Sequence, residues 1–327
     1  MPRIAIHIIL TLLAAFVQGC IHTYPDPARA VDPAKIRLEL ELTPPAGWDT
    51  LMTHSSKAGA EPLRRIIVEM RGRDGHSEKM EFFRPASELS EPVPLSLPLD
   101  FMLDPTAYDL AIWSDFVDAA SRDFKAFDAS DLSDIRIRYD GNVWTPLKDC
   151  CSALKRVDLS EHKGKELVTV KVPVMLNRPV ARFRLIPLDY EEFLKTNMEQ
   201  IRKGETYYVE IDLEPGFPLS FDLTSYSTQI ESDTTRLTFP LDIITIPGVE
   251  VELGSGYLFC DGRATLSARV KILNSAKAVV SRTQEFDIPI AAGKISIIKG
   301  DFMTSTISGG LTVDTTWEDE IIIPVGS

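Results

Sequence analysis

The sequence predicts a mainly β protein with two antiparallel β-sandwich domains in tandem. Stretches that alternate apolar with polar residues recur along the chain, and the clearest is Ile36-Arg-Leu-Glu-Leu-Glu-Leu42. Such alternation is typical of a strand with one buried face. The 22 prolines disfavour long helices. A chain of 327 residues is longer than one hydrophobic core usually needs, so we expect two domains.

Residues 1–19 are predicted to be a bacterial lipoprotein signal peptide. Arg3 supplies a positive charge, Ile4–Phe16 forms a short apolar core, and Gly19 precedes Cys20. The apolar run is too short to cross a bilayer as a helix, which marks it as a targeting segment. Cleavage before Cys20 would leave a lipid-bearing thiol, and several acyl chains on one residue hold a protein firmly at a membrane. The alternative is an ordinary secretory signal with an incidental cysteine.

A tether and the first sandwich are predicted to follow the signal. Residues 20–35 are rich in proline and lack apolar periodicity, which is typical of an extended tether. Residues 36–176 are assigned to the first sandwich. In it, Arg65–Arg71 and Lys79–Phe83 flank a Gly-Arg-Asp-Gly turn and predict a hairpin. Two prolines restrict Val93–Leu99 to an edge strand. The other strands of this half are predicted at Ala107–Trp113, Ile135–Tyr139 and Leu167–Val172.

The second sandwich is assigned to residues 177–327, because Asn177-Arg-Pro179 is typical of a turn between two strand-rich halves. One helix is predicted, with Asp189 as its N-cap and Gly204 at its C-terminal end. No residue-level repeat links the two halves. The strands of this half are predicted at Val180–Ile186, Thr206–Leu213, Arg236–Phe239, Gly256–Phe259, Leu266–Leu273, Gln284–Ile290, Ile295–Ile298 and Glu320–Pro324.

The sequence contains no evident catalytic motif, and we expect a protein that is not an enzyme and needs no cofactor. The histidines outside the signal are scattered, without partners at metal-binding spacing. There is no Gly-x-Ser-x-Gly motif, and Gly254-Ser-Gly256 is too short for a phosphate-binding loop, so we expect a turn there. Because the net charge is −13, we expect no binding to nucleic acid.

An aspartate-rich stretch leaves two interpretations open. Asp115 and Asp118 lie close together in sequence, and more aspartates follow as far as Asp134. Closely spaced carboxylates can form an oxygen cage for Ca²⁺. The Asp-x-x-Asp spacing matches no calcium-loop pattern, however, and aspartates also stabilise turns. Asp115 and Asp118 are therefore a weak calcium candidate, with turn formation as the alternative.

The cysteines beyond Cys20 also leave two interpretations open. Either Cys150 or Cys151 could form a disulfide with Cys260 outside the cytoplasm, and this bond would tie the two halves together. Adjacent cysteines seldom bond to each other without strain, and three cysteines leave an odd thiol. Free, partly buried thiols are the default expectation.

Several segments, spread over nearly the whole mature chain, share their pattern and their order with one family. They resemble the FimB-type anchor and accessory subunits of Bacteroidales type V fimbriae, which are lipoproteins of the fimbrillin superfamily. The segments are Cys20–Pro25, Arg65–Met70, Tyr108–Asp118 with Phe127–Leu132, Arg178–Arg184, Gly216–Phe221 and Gly300–Phe302.

The resemblance implies two transthyretin-like β-sandwiches and a role in fimbrial anchoring or assembly. It implies other fimbrial subunits as partners, joined by strand exchange, and an outer membrane attachment through the lipid. Stalk subunits of this superfamily are activated by cleavage after an arginine that frees the first strand. Neither Arg29 nor Arg37 has a convincing cleavage context, which favours an anchor-like subunit. The terminal segments Ile36–Leu42 and Ile321–Ile323 are the expected exchangeable strands.

The alternative function is a surface lipoprotein that binds glycans or other ligands in a polysaccharide-uptake system. Glycan binding would need aromatic platforms on an exposed face. The tryptophans Trp48, Trp113, Trp144 and Trp317 lie far apart in sequence, and Trp113 ends a predicted strand, which favours a core position for it. Whether the protein faces the cell surface or the periplasm is left open.

Overall fold

The computed structural model describes most of the chain, and these residues are called the described part of the chain. The tether, Trp48, Trp144 and Trp317 lie outside it. Within it, no helix is long and apolar enough to span a membrane. The described ranges are 36–45, 63–85, 94–119, 121–122, 126–138, 149–165, 168–214, 218–230, 235–244, 251–304, 312–315 and 321–323.

The first half contributes nine described strands and a single turn of 3-10 helix at Ser160–His162. The strands are β1 (Ile36–Thr43), β2 (Leu63–Gly72), β3 (Ser77–Pro85), β4 (Leu95–Leu103), β5 (Ala107–Val117), β6 (Phe127–Asp128), β7 (Ile135–Ile137), β8 (Cys151–Asp158) and β9 (Val168–Met175).

The second half contributes twelve described strands and one α-helix. These elements are β10 (Val180–Pro187), α1 (Tyr190–Arg202), β11 (Tyr208–Glu214), β12 (Pro218–Asp222), β13 (Ser227–Ile230), β14 (Thr235–Pro240), β15 (Gly254–Phe259), β16 (Arg263–Leu273), β17 (Val279–Arg282), β18 (Phe286–Ala291), β19 (Ile295–Gly300), β20 (Thr312–Thr315) and β21 (Ile321–Ile323).

Two sheets form a sandwich in the first half. Sheet A has the order β4-β1-β9, and sheet B has the order β3-β2-β5-β8. The alternation of β1 places Leu38 and Leu40 in the core, where they share one cluster with Val68 and Ile112 of sheet B. The predicted hairpin is β2–β3, and β4 is an edge strand with Pro98 opposite Glu39 of β1. Both predictions are confirmed.

The second half repeats this topology. Sheet D has the order β15-β10-β19-β20-β21, and sheet E has the order β14-β11-β16-β17, with β18 also on β16. In each half the first strand pairs antiparallel with one neighbour and parallel with another: β1 with β4 and β9, and β10 with β15 and β19. The mainly β prediction with antiparallel sandwich sheets is confirmed, and the duplication appears in the strand pairing without a residue-level repeat.

The two halves share a fifth sheet and a third hydrophobic core. Sheet C has the order β13-β12-β7-β6, so β7 of the first half pairs with β12 of the second. The sheet packs in a cluster with Trp113 of sheet B and Phe259 of β15. The ring centroids of Trp113 and Phe127 are 5.4 Å apart, and those of Phe221 and Phe259 are also 5.4 Å apart. The halves are therefore packed on one another through aromatic side chains.

Helix α1 begins where it was predicted, but the expected role of Asp189 was wrong. Asp189 occupies the N-cap position without a side-chain capping bond. Its carboxylate instead accepts backbone N–H bonds from Met303 at 2.8 Å and Thr304 at 2.6 Å, in the segment after β19. Sequence rules for helix caps look only at local neighbours, whereas this partner lies more than a hundred residues away. Gly204 has a left-handed φ of +89° just beyond the helix, as a C-terminal glycine should.

The segment Gly254-Ser-Gly256 is the start of strand β15, so the expected turn was wrong. Its two glycines leave room for aromatic rings in the hydrophobic core of the second half. A Cβ on Gly254 would lie 2.3 Å from the Phe239 ring, and one on Gly256 would lie 2.8 Å from the Phe183 ring. The sequence signal for a turn was in fact a signal for close packing.

We predict that residues 36–176 and 177–327, prepared as separate fragments, each unfold cooperatively and associate when mixed. Each fragment keeps its own sandwich core, and mixing re-forms the third core, whose exposure is unfavourable. Circular dichroism melting tests the first point, and sedimentation of the mixture tests the second. A second fragment with Phe259→Asp is the matched control and should not associate. If neither fragment folds alone, the boundary at residues 177–179 is wrong.

Candidate functional site

Strand β1 connects both sides of sheet A. Leu40 lies opposite Leu97 of β4 on one side and opposite Val172 of β9 on the other. In the described part of the chain, β4 and β9 do not pair with each other. The inner side chains of β1 from Ile36 to Leu42 are at most 1% exposed. Removing β1 would therefore open an apolar groove between two strands that β1 alone holds in one sheet.

The outer face of β1 is polar and accessible. Glu39 accepts a hydrogen bond from the Ser96 hydroxyl of β4 at 2.7 Å, and this bond lowers the pKa of Glu39. Lys171 of β9 lies 3.4 Å from Glu41. Such exposed ion pairs contribute little to stability, so the hold on β1 comes from its backbone pairing and its inner face.

The C-terminal strands extend sheet D beyond β19. Strand β20 pairs antiparallel with β19, and Ile322 of β21 lies opposite Asp314 of β20. Strand β21 is the last strand of the described sheet and has one neighbour. The predicted strand Ile321–Ile323 is thus paired within its own sheet, at an edge that another strand could extend.

The proposed calcium residues have other partners. Asp115 is fully buried between β5 and β2, where it accepts two bonds from the Arg65 guanidinium at 2.9 and 2.5 Å. Burial raises the pKa of Asp115, and the ion pair with Arg65 opposes that rise. Asp118 accepts a bond from the backbone N–H of Ser121 at 3.1 Å. Asp118 thus takes part in a local turn, whereas Asp115 lies within strand β5. The described residues hold no group of three or more possible metal ligands.

A second buried ion pair crosses from one half to the other. Arg178, in the linker between β9 and β10, donates to Asp149 at 2.9 Å, and both side chains are at most 2% exposed. Nearby, the Arg64 guanidinium lies 3.7 Å from the centre of the Phe116 ring, and burial lowers the pKa of Arg64 to about 10. Sequence reasoning missed this cluster, because its members are separated by more than a hundred residues, from Arg64 to Arg178.

All three described cysteines are free and buried. Burial raises the pKa of the Cys150 and Cys151 thiols, which keeps them protonated and unreactive. The Cys260 thiol donates a hydrogen bond to the backbone carbonyl of Gly262, with an S···O distance of 3.2 Å. The structure therefore contains free thiols in place of a Cys150–Cys260 or Cys151–Cys260 disulfide.

A cleft of about 550 Å³ opens where the two halves meet, and it is called the junction cleft. Leu154 of β8 and Met175 of β9 come from the first half, and Arg178 comes from the linker. Tyr226 of sheet C and Lys294 of the β18–β19 loop come from the second half. Sequence reasoning gave no signal for this cleft, because it exists only through the packing of the halves.

The turn between β12 and β13 holds Tyr226 in the cleft wall. Asp222 accepts bonds from the backbone N–H of Thr224 at 2.7 Å and from the Ser225 hydroxyl at 2.8 Å. Tyr226 then adopts a left-handed φ of +52°, which is uncommon for a residue with a side chain. Its ring packs edge-on against Phe221 with centroids 5.2 Å apart. The cleft wall is thus built by a defined turn.

A family model matches residues 30–325, which is nearly the whole chain. The chain belongs to the DUF6562 family. This family is described as one of unknown function, so membership does not assign an activity. No curated protein matches the DUF6562 chain.

Several solved structures are loosely similar to this DUF6562 chain. A candidate adhesin from Bacteroides ovatus is 12% identical, with a TM-score of 0.45 over 88% of this chain and 95% of that one. A fimbrial assembly protein from Parabacteroides distasonis is 13% identical, with a TM-score of 0.37 over 88% and 98%. The fimbrial anchor protein Mfa2 from Porphyromonas gingivalis is 10% identical, with a TM-score of 0.37 over 86% and 96%. At TM-scores below 0.5, these likenesses carry no argument about what the chain does.

We predict that Asp149→Asn lowers the free energy of unfolding by about 3 kcal/mol, because it leaves the buried Arg178 without its counter-ion. Asp134→Asn is the matched control. It removes an exposed ion pair with Arg136, 2.9 Å long, and should cost less than about 1 kcal/mol. Urea unfolding followed by circular dichroism measures both losses. Equal losses would contradict a stabilising role for the buried pair.

Proposed function

We propose that this DUF6562 chain is a lipid-anchored envelope protein that acts as an accessory or anchor subunit in fimbria assembly and adhesion, through β-strand pairing. The observation that carries the proposal is the position of β1. It is the first described strand, it follows the segment predicted to be a tether from the lipid site Cys20, and it lies between two strands that have no other link in the described part of sheet A. The order of family-like segments along the sequence supports the same proposal.

Strand pairing is a physically suitable way for this protein to bind a partner. Main-chain hydrogen bonds give affinity to an added strand, and alternate side chains fix its register. β1 has both features. Its backbone is paired on either side, and its inner face carries a buried row of four apolar side chains. β21 offers a backbone edge at the other end of the chain.

The position of Arg37 favours an anchor-like subunit that keeps its first strand. Arg37 lies inside β1, opposite Thr169 of β9. Cleavage after Arg37 would cut β1 near its start and leave most of the strand in sheet A. A subunit that is not cleaved keeps both β1 and the lipid predicted on Cys20, which suits attachment to the outer membrane.

We propose no catalytic activity for this chain. Two described histidines contact neighbouring glutamates, His76 with Glu78 at 3.1 Å and His162 with Glu161 at 3.2 Å. For the glycan-binding alternative, the described tryptophan, Trp113, is fully buried and offers no platform to a sugar.

Deletion of the gene in its native host should change fimbrial length or attachment, as electron microscopy and shear release would measure. The wild-type gene should restore both. A gene that lacks codons for Glu320–Ser327 should fail to restore them if β21 is the pairing strand. Unaltered fimbriae in the full deletion would contradict the fimbrial proposal, and full restoration by a stably folded truncated protein would exclude β21.

The Cys20→Ser variant tests the lipid anchor separately. It should leave the membrane fraction or remain unprocessed, because the thiol that bears the lipid is gone. Intact-mass measurement of the mature wild-type protein should show an acylated Cys20. An unmodified Cys20 would contradict lipid anchoring without bearing on strand pairing.

A further inference from the structure

The junction cleft has the construction of a binding site. Its volume of about 550 Å³ lies within the usual range for ligand pockets, which are mostly apolar with a few placed polar groups. The rim carries two large apolar side chains that are unusually accessible. Leu154 is 39% exposed and Met175 is 69% exposed. Exposed apolar side chains beside a cavity are typical of an interaction surface.

The position of this apolar rim is fixed by the backbone. At Ser152 and Asn177 the edges of β8 and β9 meet in an antiparallel bridge, with N–H···O distances of 2.8 and 2.9 Å. Lys155 of β8 then donates to the carbonyl of Pro173 in β9 at 2.6 Å and holds the two edges together. Leu154 and Met175 lie between these two links, so the backbone positions from which their side chains project are fixed.

The charge of the cleft selects its occupant. The described residues that line it include two cations, Arg178 and Lys294, and no carboxylate. Arg178 is paired with Asp149 behind the wall. Lys294 has no ion pair within the described part of the chain. An occupant with a carboxylate would give Lys294 the partner that the described part of the chain does not supply.

We propose that the junction cleft binds a segment of a partner protein that presents an apolar side chain with a carboxylate beside it. The apolar side chain enters between Leu154, Met175 and Tyr226, and the carboxylate pairs with Lys294. This surface combines both halves of the chain. It adjoins β1 only at the end of that strand, where Thr43 pairs with Met175. A side-chain occupant of the cleft needs neither removal of β1 nor an added strand at β21, so the inference goes beyond the proposed strand pairing.

Three short peptides test this proposal on the mature full-length protein. The probe is Ac-Gly-Phe-Glu-Gly-NH2. One twin, with glutamine in place of glutamate, lacks the charge, and another, with alanine in place of phenylalanine, lacks the apolar group. The methyl resonance of Met175, assigned with Met175→Leu, reports binding in NMR titrations. We expect a dissociation constant of about 1 mM for the probe and about fivefold weaker binding for each twin.

Protein variants separate the two parts of the site. Lys294→Gln should remove the preference for the glutamate peptide, whereas Lys195→Gln on helix α1 should keep it. Leu154→Ser should weaken the two peptides that carry phenylalanine and leave the alanine twin unchanged, whereas Leu188→Ser, at another exposed leucine, should weaken none of them. No movement of the Met175 resonance at several millimolar peptide, or equal binding of probe and twins, would overturn the proposal. A preference for glutamate that survives Lys294→Gln would also overturn it.

Discussion

Sheet A depends on a single strand. β4 and β9 meet only through β1 in the described part of the chain, and β1 covers the core with four side chains from Ile36 to Leu42. Burying a large aliphatic side chain contributes about 1.5–3 kcal/mol, so the inner face of β1 contributes about 6–12 kcal/mol. This is similar to the total stability of a typical domain, about 5–15 kcal/mol. β1 therefore cannot leave without unfolding the sandwich unless another strand replaces it, and this constraint is the physical basis of the strand exchange that we propose.

The first strands of the two halves are β1 and β10, and the duplicated topology gives them equivalent pairing partners. Their surroundings differ. β10 occupies the place of β1 in the second half, yet both its faces are covered. Val180 belongs to the third core, and Arg182 is 6% exposed beside Tyr257. The outer face of β1 carries Glu39 and Glu41, which are partly accessible. The junction of the halves thus covers β10 on both faces, so of the two first strands only β1 is a candidate for the proposed exchange.

The sequence predicts those features that are encoded locally. Alternation identified β1, proline identified β4 as an edge, and the glycine turn identified the β2–β3 hairpin. Strand β8 was not predicted. Its small residues Cys151, Ser152 and Ala153 are all buried, so the sequence there shows no alternation of apolar and polar residues. Sheet C, the Asp149–Arg178 pair and the junction cleft could not be predicted, because they form only between distant segments. For the same reason Asp115 suggested a cation site, whereas its partner is Arg65 on another strand.

Native-state hydrogen exchange tests most directly whether β1 holds sheet A together. We expect amides of β1, β4 and β9 to exchange with one common opening free energy, because loss of β1 removes the partner of both neighbours. Amides of β10 should be at least as well protected. If β1 exchanges in a separate, much less costly opening while β4 and β9 stay protected, the neighbouring strands do not depend on β1, and β1 does not hold sheet A together.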